Sequence, residues 1–313
     1  MKIIDLKYPF DYQPDKDDQA VCAIGFFDGI HKGHQRVLQT AKDQARQLNK
    51  KFAVMTFTPH PIEILRKDRT NVSYLTTFKQ KQSILREFGV DLLYVIHFDL
   101  SVAKLKPQEF IDQYIVGLTI SQLVCGFDFT YGHKGAGNVD SLISHSKERF
   151  GVTVVEEYSE ENEKVSSTRI RNLLTEGEID QANKLLTRPL MTEGKVIHGF
   201  KRGREIGYPT ANILVDPAQI LPKIGVYYVT ILIDDTQYHG MASLGYNPTF
   251  DDPEQKNTIK CEVHIFDFNQ QLYGQSVTVF WEKYVRPEYR FEQVDQLIAQ
   301  LKQDEELIRG LFS

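Results

Sequence analysis

Gly25-Phe26-Phe27-Asp28-Gly29-Ile30-His31-Lys32-Gly33-His34 stands between an apolar run, residues 20–26, and a segment of helical periodicity, residues 33–48. A short buried strand leading through a glycine-rich turn into a helix is the first unit of an open parallel sheet. Glycines at 25, 29 and 33 let the backbone approach a bulky anion, and the helix start offers aligned N–H groups. His31 and His34, three residues apart, can then point at one phosphate and donate to charge that grows on it. Zinc is the weaker reading of the pair, because no third or fourth ligand has a sensible spacing. A tight strand–helix turn with surface histidines is the plain alternative.

Outward from this turn the same alternation continues. Residues 52–57, 92–97, 121–125 and 152–155 are short runs rich in Val, Ile, Leu or Phe, and residues 78–88, 107–116 and 139–150 have helical spacing. The pattern predicts a parallel sheet covered on both faces, with ligands bound beyond the carboxyl ends of its strands. The loops after Phe26, Phe57, Phe98 and Cys125 are therefore where chemistry is expected. After Leu186 the pattern changes. Residues 194–198, 211–215, 225–233, 238–243, 258–266 and 275–281 are strand-like, with Gly, Pro, Asp and Asn turns and no helix between them, which predicts an antiparallel barrel or sandwich. Phe291, Val294, Leu297, Ile298 and Leu301 then follow 3- and 4-residue spacing, a terminal helix whose stripe is expected to pack on the barrel. The division is read as 1–186 and 187–313, joined near residues 186–189.

Composition narrows the class. A chain of 313 residues with 41% hydrophobic and 25% charged residues is long enough for two cores, and it is neither disordered nor collagen-like. Residues 1–186 carry 24 basic and 25 acidic side chains and residues 187–313 carry 13 and 17, so neither half has the basic excess that a nucleic-acid backbone demands. No run of about 18 apolar residues is present, and the first residues lack a signal-peptide pattern. Three dispersed cysteines, Cys22, Cys125 and Cys261, argue against a disulfide framework. A cytoplasmic protein with small-molecule partners is expected, with neither membrane nor nucleic acid; its oligomeric state is not legible.

The second half has its own signal. Gly199-Phe200-Lys201-Arg202-Gly203-Arg204-Glu205-Ile206-Gly207-Tyr208-Pro209-Thr210-Ala211-Asn212 joins a glycine-rich flap to a Pro-Thr-Ala-Asn run and is not a Walker A loop. Gly203 and Gly207 could let the flap cover phosphates, while Thr210 Oγ1 and the Asn212 carbonyl are hard oxygen ligands suited to Mg²⁺. A glycine-rich hairpin followed by a strand is the plain alternative.

Taken together these runs resemble the bacterial bifunctional riboflavin kinase/FMN adenylyltransferase (FAD synthetase) family. The first turn is similar to its nucleotide-binding signature. Thr56-Phe57-Thr58-Pro59-His60-Pro61, Gly126-Phe127-Asp128-Phe129-Thr130-Tyr131-Gly132 and Val165-Ser166-Ser167-Thr168-Arg169-Ile170-Arg171 follow in the family's order. Pro-Thr-Ala-Asn looks like the metal–ATP motif of riboflavin kinases, and Gly245-Tyr246-Asn247-Pro248-Thr249-Phe250 and Cys261-Glu262-Val263-His264-Ile265-Phe266-Asp267 match the same domain.

The resemblance implies a Rossmann-like nucleotidyltransferase domain followed by a riboflavin kinase-like barrel. It implies conversion of riboflavin to FMN and of FMN to FAD with ATP and Mg²⁺. His31 and His34 would hold the ATP phosphates, and Ser167, Thr168 and Arg171 the pyrophosphate side. Gly25, Phe26, Asp28, Gly29, Gly33 and Asp128 would line the nucleotide and flavin cleft. Glu262 would be the base for the ribityl hydroxyl, Thr210 and Asn212 would hold the metal, and Asn247 and Arg286 would lie near substrate. Phe26, Thr58, Gly135 and Tyr246 depart from the family pattern. A single-activity paralogue and a non-catalytic flavin-binding regulator are the alternatives.

Overall fold

Ala20–Ile24 is buried at every position, as only a strand covered on both faces can be. Its residues alternate between two cores: Ala20, Cys22 and Ile24 face one, Val21 and Ala23 the other. The computed structural model describes residues 1–15, 19–65, 72–199, 202–246 and 259–312, in two units, Met1–Ser167 and Thr168–Ser313.

In the first unit, β1 (Lys2–Leu6), β2 (Ala20–Ile24), β3 (Lys51–Thr58), β4 (Leu92–His97), β5 (Ile120–Gly126) and β6 (Gly151–Val155) form one parallel sheet in the order β1-β4-β3-β2-β5-β6. The α/β parallel sheet expected from sequence is therefore present, with β1 added at its edge. Helices α1 (Lys32–Gln47) and α2 (Phe78–Glu87) cover one face. Pro107–Phe110, running into a π-helical turn at Ile111–Val116, and α3 (Val139–Ser146) cover the other. The run expected as a helix over 139–150 ends early because Lys147 turns left-handed (φ 51°). From β2 the chain builds outward through β3 and β4, then returns to place β5 on β2's other side. That reversal opens a crevice beyond the carboxyl ends of β2 and β5.

In the second unit, α4 (Ser167–Glu176) begins at the unit boundary and α5 (Ile179–Leu186) follows it. Strands β7 (Leu190–Ile197), β8 (Ala211–Val215), β9 (Gly225–Ile233), β10 (Thr236–Tyr246), β11 (Ile259–Ile265) and β12 (Ser276–Arg286) close an antiparallel barrel in the order β7-β8-β11-β10-β9-β12. Trp281, fully buried, meets Tyr227 edge-on at 5.1 Å and donates to Thr192 Oγ1 at 2.8 Å. Asn183 of α5 ties itself to the barrel by donating to the Trp281 carbonyl and accepting from Leu190 N.

The terminal helix α6 (Val294–Phe312) is present, but its inward stripe starts later than the spacing suggests. Val294 is exposed, whereas Leu301, Ile308 and Phe312 pack against Val226, Met241 and Phe266. All three cysteines are buried and unpaired, Cys22 and Cys125 in the first unit and Cys261 in the second.

Candidate active sites

The turn after β2 is held by its own apolar side chains. Phe27 (φ 54°) and Ile30 (φ 43°) take up left-handed backbone conformations that disfavour side chains, and both are buried among the core residues of that sheet face. Gly29 (φ 86°) supplies the third left-handed position without a Cβ penalty. This conformation brings His31 to the N-cap of α1, where its Nδ1 accepts from His34 N–H at 3.3 Å. Nε2 is then left to carry the proton of a neutral His31 ring.

His31 and His34 are brought together: their rings stack 3.7 Å apart at 17°. A Cβ on Gly33 would lie 3.3 Å from the His31 ring, so glycine permits the stack. His34 is enclosed, and among the described residues its Nδ1 has no hydrogen-bond partner. Burial, then the neighbouring His31 and Lys81 charges, holds its pKa well below the ordinary histidine value. A buried imidazole nitrogen of this kind can be satisfied by a ligand or a water that enters beside it.

Both rings open on a cleft of about 190 Å³, lined also by Gly126, Phe127, Asp128, Lys164 and Ser167. It lies at the crevice that the strand order predicts. Asp128 is on the cleft wall with its carboxylate paired to Lys164 Nζ at 2.8 Å. Ser167 is there too, its hydroxyl donating to the Asp28 carbonyl at 2.8 Å. Thr168 is exposed and Arg171 half-buried on α4 in the second unit.

Asp28, expected at the cleft, is buried in the turn. Its buried carboxylate accepts from Thr76 N at 3.1 Å and Leu75 N at 3.4 Å, fastening the segment before α2 to the turn. Phe26 is bound into the same layer, its ring edge-on to His60 at 4.1 Å and its carbonyl accepting from Thr56 Oγ1 at 3.0 Å. Gly25 packs against the Phe27 ring. Sequence reasoning missed Lys81, which is 3% exposed beneath this turn with Nζ donating to the Phe26 carbonyl at 2.5 Å. The available signal was its phase: Lys81 lies between Phe78 and Leu85 on the apolar side of α2.

In the second unit, Glu262 stands opposite Asn212 on one neighbouring strand and opposite Ser243 on the other. Cys261, Val263 and Ile213 point into the barrel, so Glu262 and Asn212 share its outer face. The Asn212 amide lies against Gly199, where any Cβ would collide with it. Glu262 also receives Lys260 Nζ at 3.5 Å.

Thr210 lines an adjoining cleft of about 380 Å³ with Arg204, Pro209, Phe268, Leu272 and Tyr273. One side of that cleft is fixed by Arg204 donating to Tyr273 Oη at 3.1 Å and by His198 stacking on Tyr273 at 3.9 Å. Within the flap, Gly203 accepts from Tyr208 N and Gly207 is left-handed (φ 84°). Asn247 lies outside the described residues. Arg286 donates from Nε and Nη2 to both oxygens of Asp304 on α6, and from Nη1 to the Pro287 carbonyl. Glu288, a carboxyl that sequence reasoning also missed, packs against Gly245. Burial raises its pKa, with Arg286 lowering it and Glu262 adding to the rise.

Comparison with known proteins matches both halves. The FAD synthetase family matches residues 13–169 and the riboflavin kinase family residues 186–312. A bifunctional riboflavin kinase/FMN adenylyltransferase of Listeria monocytogenes is 44% identical over 100% of this chain and 99% of its own. The protein of the same description from Bacillus subtilis is 40% identical, again over 100% and 99%. A crystal structure described as a macrolide-efflux protein from Streptococcus pneumoniae superposes with a TM-score of 0.86 at 38% identity, covering 94% of this chain and 95% of that one. Among the described residues here, no helix is long and apolar enough to cross a membrane.

Proposed function

The chain belongs to the bifunctional riboflavin kinase/FMN adenylyltransferase family, and on that premise we propose which of its residues carry each reaction. It phosphorylates riboflavin with ATP to give FMN, and it adenylylates FMN with a second ATP to give FAD and pyrophosphate. Adenylyl transfer is assigned to residues 1–186 and phosphorylation to residues 187–313.

In the first reaction site, an oxygen of the FMN phosphate attacks the α-phosphorus of ATP and the bond to pyrophosphate breaks. The nucleophile is already ionised, so the protein contributes position and charge rather than a base. His31 Nε2–H and the His34 ring hold the ATP phosphates, with Gly25, Gly29 and Gly33 allowing close approach. Ser167, on the cleft wall, takes the leaving pyrophosphate; Thr168 and Arg171 are assigned to it by the resemblance alone. Asp128 and Lys164 border the nucleotide. Phe26 and Asp28 act through the shape of the turn. The observation that carries this reading is the stacked His31–His34 pair facing the cleft beyond β2 and β5.

In the second site, the riboflavin 5′-hydroxyl oxygen attacks the γ-phosphorus, its proton passes to Glu262, and ADP leaves. The cleft beside Thr210 would take the nucleotide, with Gly203 and Gly207 in the flap over its phosphates. Mg²⁺, when bound, neutralises phosphate charge; Thr210 Oγ1 and Asn212 Oδ1 would hold it. These are neutral, hard oxygen donors beside the Glu262 carboxylate, which fits an ion whose other ligands are phosphate oxygens and water. Among the described residues no group of three His, Cys, Asp or Glu could hold a metal by itself. Asn247 and Arg286 remain assigned near the flavin. Unpaired, buried thiols support work in a reducing cytoplasm.

A time course with riboflavin, ATP and Mg²⁺, resolved by chromatography, tests the division. FMN should appear first and FAD after it. Conversion of supplied FMN without turnover of riboflavin would confine activity to the first site.

A further inference from the structure

Lys81 stands where a lysine is costly. It lies on the apolar side of α2, 3% exposed, with its ammonium taken out of water. Nζ donates to the Phe26 carbonyl at 2.5 Å, lies 3.4 Å from Thr56 Oγ1, and sits 4.0 Å over the Phe26 ring. Thr56, itself fully buried on β3, donates to that same carbonyl at 3.0 Å. The turn that carries His31 and His34 is thus fastened at its first residues by two donors from outside it.

We propose that Lys81 is a positioning residue for adenylyl transfer: its ammonium, with Thr56 of β3, holds the Phe26 carbonyl at the start of the turn and so fixes the His31–His34 stack against the nucleotide phosphates. This rests on the reading of the two histidines as phosphate-binding groups. A leucine or methionine would satisfy apolar packing here; the cation adds a charge-assisted hydrogen bond to the Phe26 carbonyl that neither could make.

The charge has a second effect. Lys81 faces His34 as a like charge and, with burial and His31, disfavours its protonation. Asp28 faces Lys81 from the turn and favours its charged form, while burial brings its pKa down to about 8. On the remaining side, Tyr74 is hydrogen-bonded to Glu63 and feels Asp28. His60 packs on Phe26.

The test is Lys81→Met in the full chain, assayed for FMN adenylylation and riboflavin phosphorylation across pH. Adenylylation kcat should fall about 100-fold, as a misplacement near 1 Å does, with KM for ATP and FMN changed only a few-fold. Riboflavin phosphorylation should be unaltered. The acid limb of adenylylation should move to higher pH, because His34 has lost a facing cation. Lys81→Arg, which keeps the charge, should return that limb to its wild-type position. In a His34→Ala background Lys81→Met should cost far less than in the wild type, since it acts through that ring.

An unchanged kcat with an unmoved acid limb would reduce Lys81 to packing and overturn the proposal, as would an equal loss in the His34→Ala background. If Lys81→Met does not fold, Thr56→Val removes the other donor to Phe26 and should lower kcat several-fold; wild-type kcat there also overturns it. Intact FAD formation in both His31→Ala and His34→Ala would instead defeat the reading of the histidines themselves.

Discussion

Asn212 and Glu262 face each other across adjacent antiparallel strands on the outer face of the barrel. Side chains paired this way have Cβ atoms about 5 Å apart, close enough for one amide oxygen and one carboxylate to share a phosphate-bound ion and the hydroxyl beside it. Glu262→Ala should therefore lower riboflavin phosphorylation by about 10²–10⁴ while supplied FMN is still adenylylated at the wild-type rate. Flavin chromatography reads both from one reaction. Loss of both activities would sink the assignment of separate sites.

Asn212→Ala should leave Glu262 in place yet raise the Mg²⁺ concentration needed for half-maximal phosphorylation. A Mg²⁺ titration at fixed ATP measures it; an unchanged midpoint would remove Asn212 from the metal's ligands.

His31→Ala should make FMN the end product. Losing one such donor costs about 10²–10³ in rate. Because Nδ1 of His31 also caps α1, a thermal melt should record a loss of about 1 kcal/mol beside the kinetic effect. FAD formed at the normal rate would exclude His31 from the chemistry.

Two lowered pKa values make stability rise with pH, in two separate windows. His34 is kept neutral in the folded chain, so stability on its account is complete above its ordinary value near 6.5 and is lost as pH falls below it. Lys81 has a folded pKa of about 8 against an ordinary 10.5, so folding binds fewer protons between these values and stability rises with pH across that window. The contribution is on the order of 3 kcal/mol. Denaturant melts of wild type and Lys81→Met at several pH values isolate it: the wild-type curve should gain on the variant as pH rises past about 8. A constant gap would show that Lys81 titrates normally.

Arg286 and Asp304 form a nearly buried pair, with side chains 11% and 3% exposed, joining the last strand of the barrel to α6. Arg286→Met should destabilise the second unit by about 3–5 kcal/mol because it leaves a buried carboxylate without its cation. Arg286→Met combined with Asp304→Leu should recover much of that. Stability restored without restored phosphorylation would separate a direct role of Arg286 at substrate from its place in the pair.

Much of this was legible in the sequence because periodicity and burial coincide. Leu92–His97 and Gly225–Ile233 end where their apolar patterns end. Lys2–Leu6 was not legible: Lys2 and Asp5 interrupt its apolar residues, and only pairing with β4 makes it a strand. The terminal helix was visible but its phase was not, because Asp304 sits on the inward stripe as the partner of Arg286.

His31 and His34 could be singled out from spacing and resemblance, but their stacking depends on left-handed backbone at Phe27 and Ile30, residues that rarely adopt it. Asp28 shows the converse. A carboxylate between glycines suggests a ligand, and only the fold reveals that it also accepts from Leu75 N and Thr76 N. Lys81 was hidden because a lysine in a helix is ordinarily solvated.

The buried cysteines give the protein built-in reporters of its own opening. Burial pushes the Cys125 and Cys261 thiols up to about 12 and Cys22 higher still, so the folded chain holds almost no thiolate for an alkylating reagent to attack. Modification must wait for a strand to separate from its sheet or barrel. The rate at which Cys22 and Cys125 are labelled therefore clocks the breathing of the first unit, and that of Cys261 the second, with no engineered probe in either.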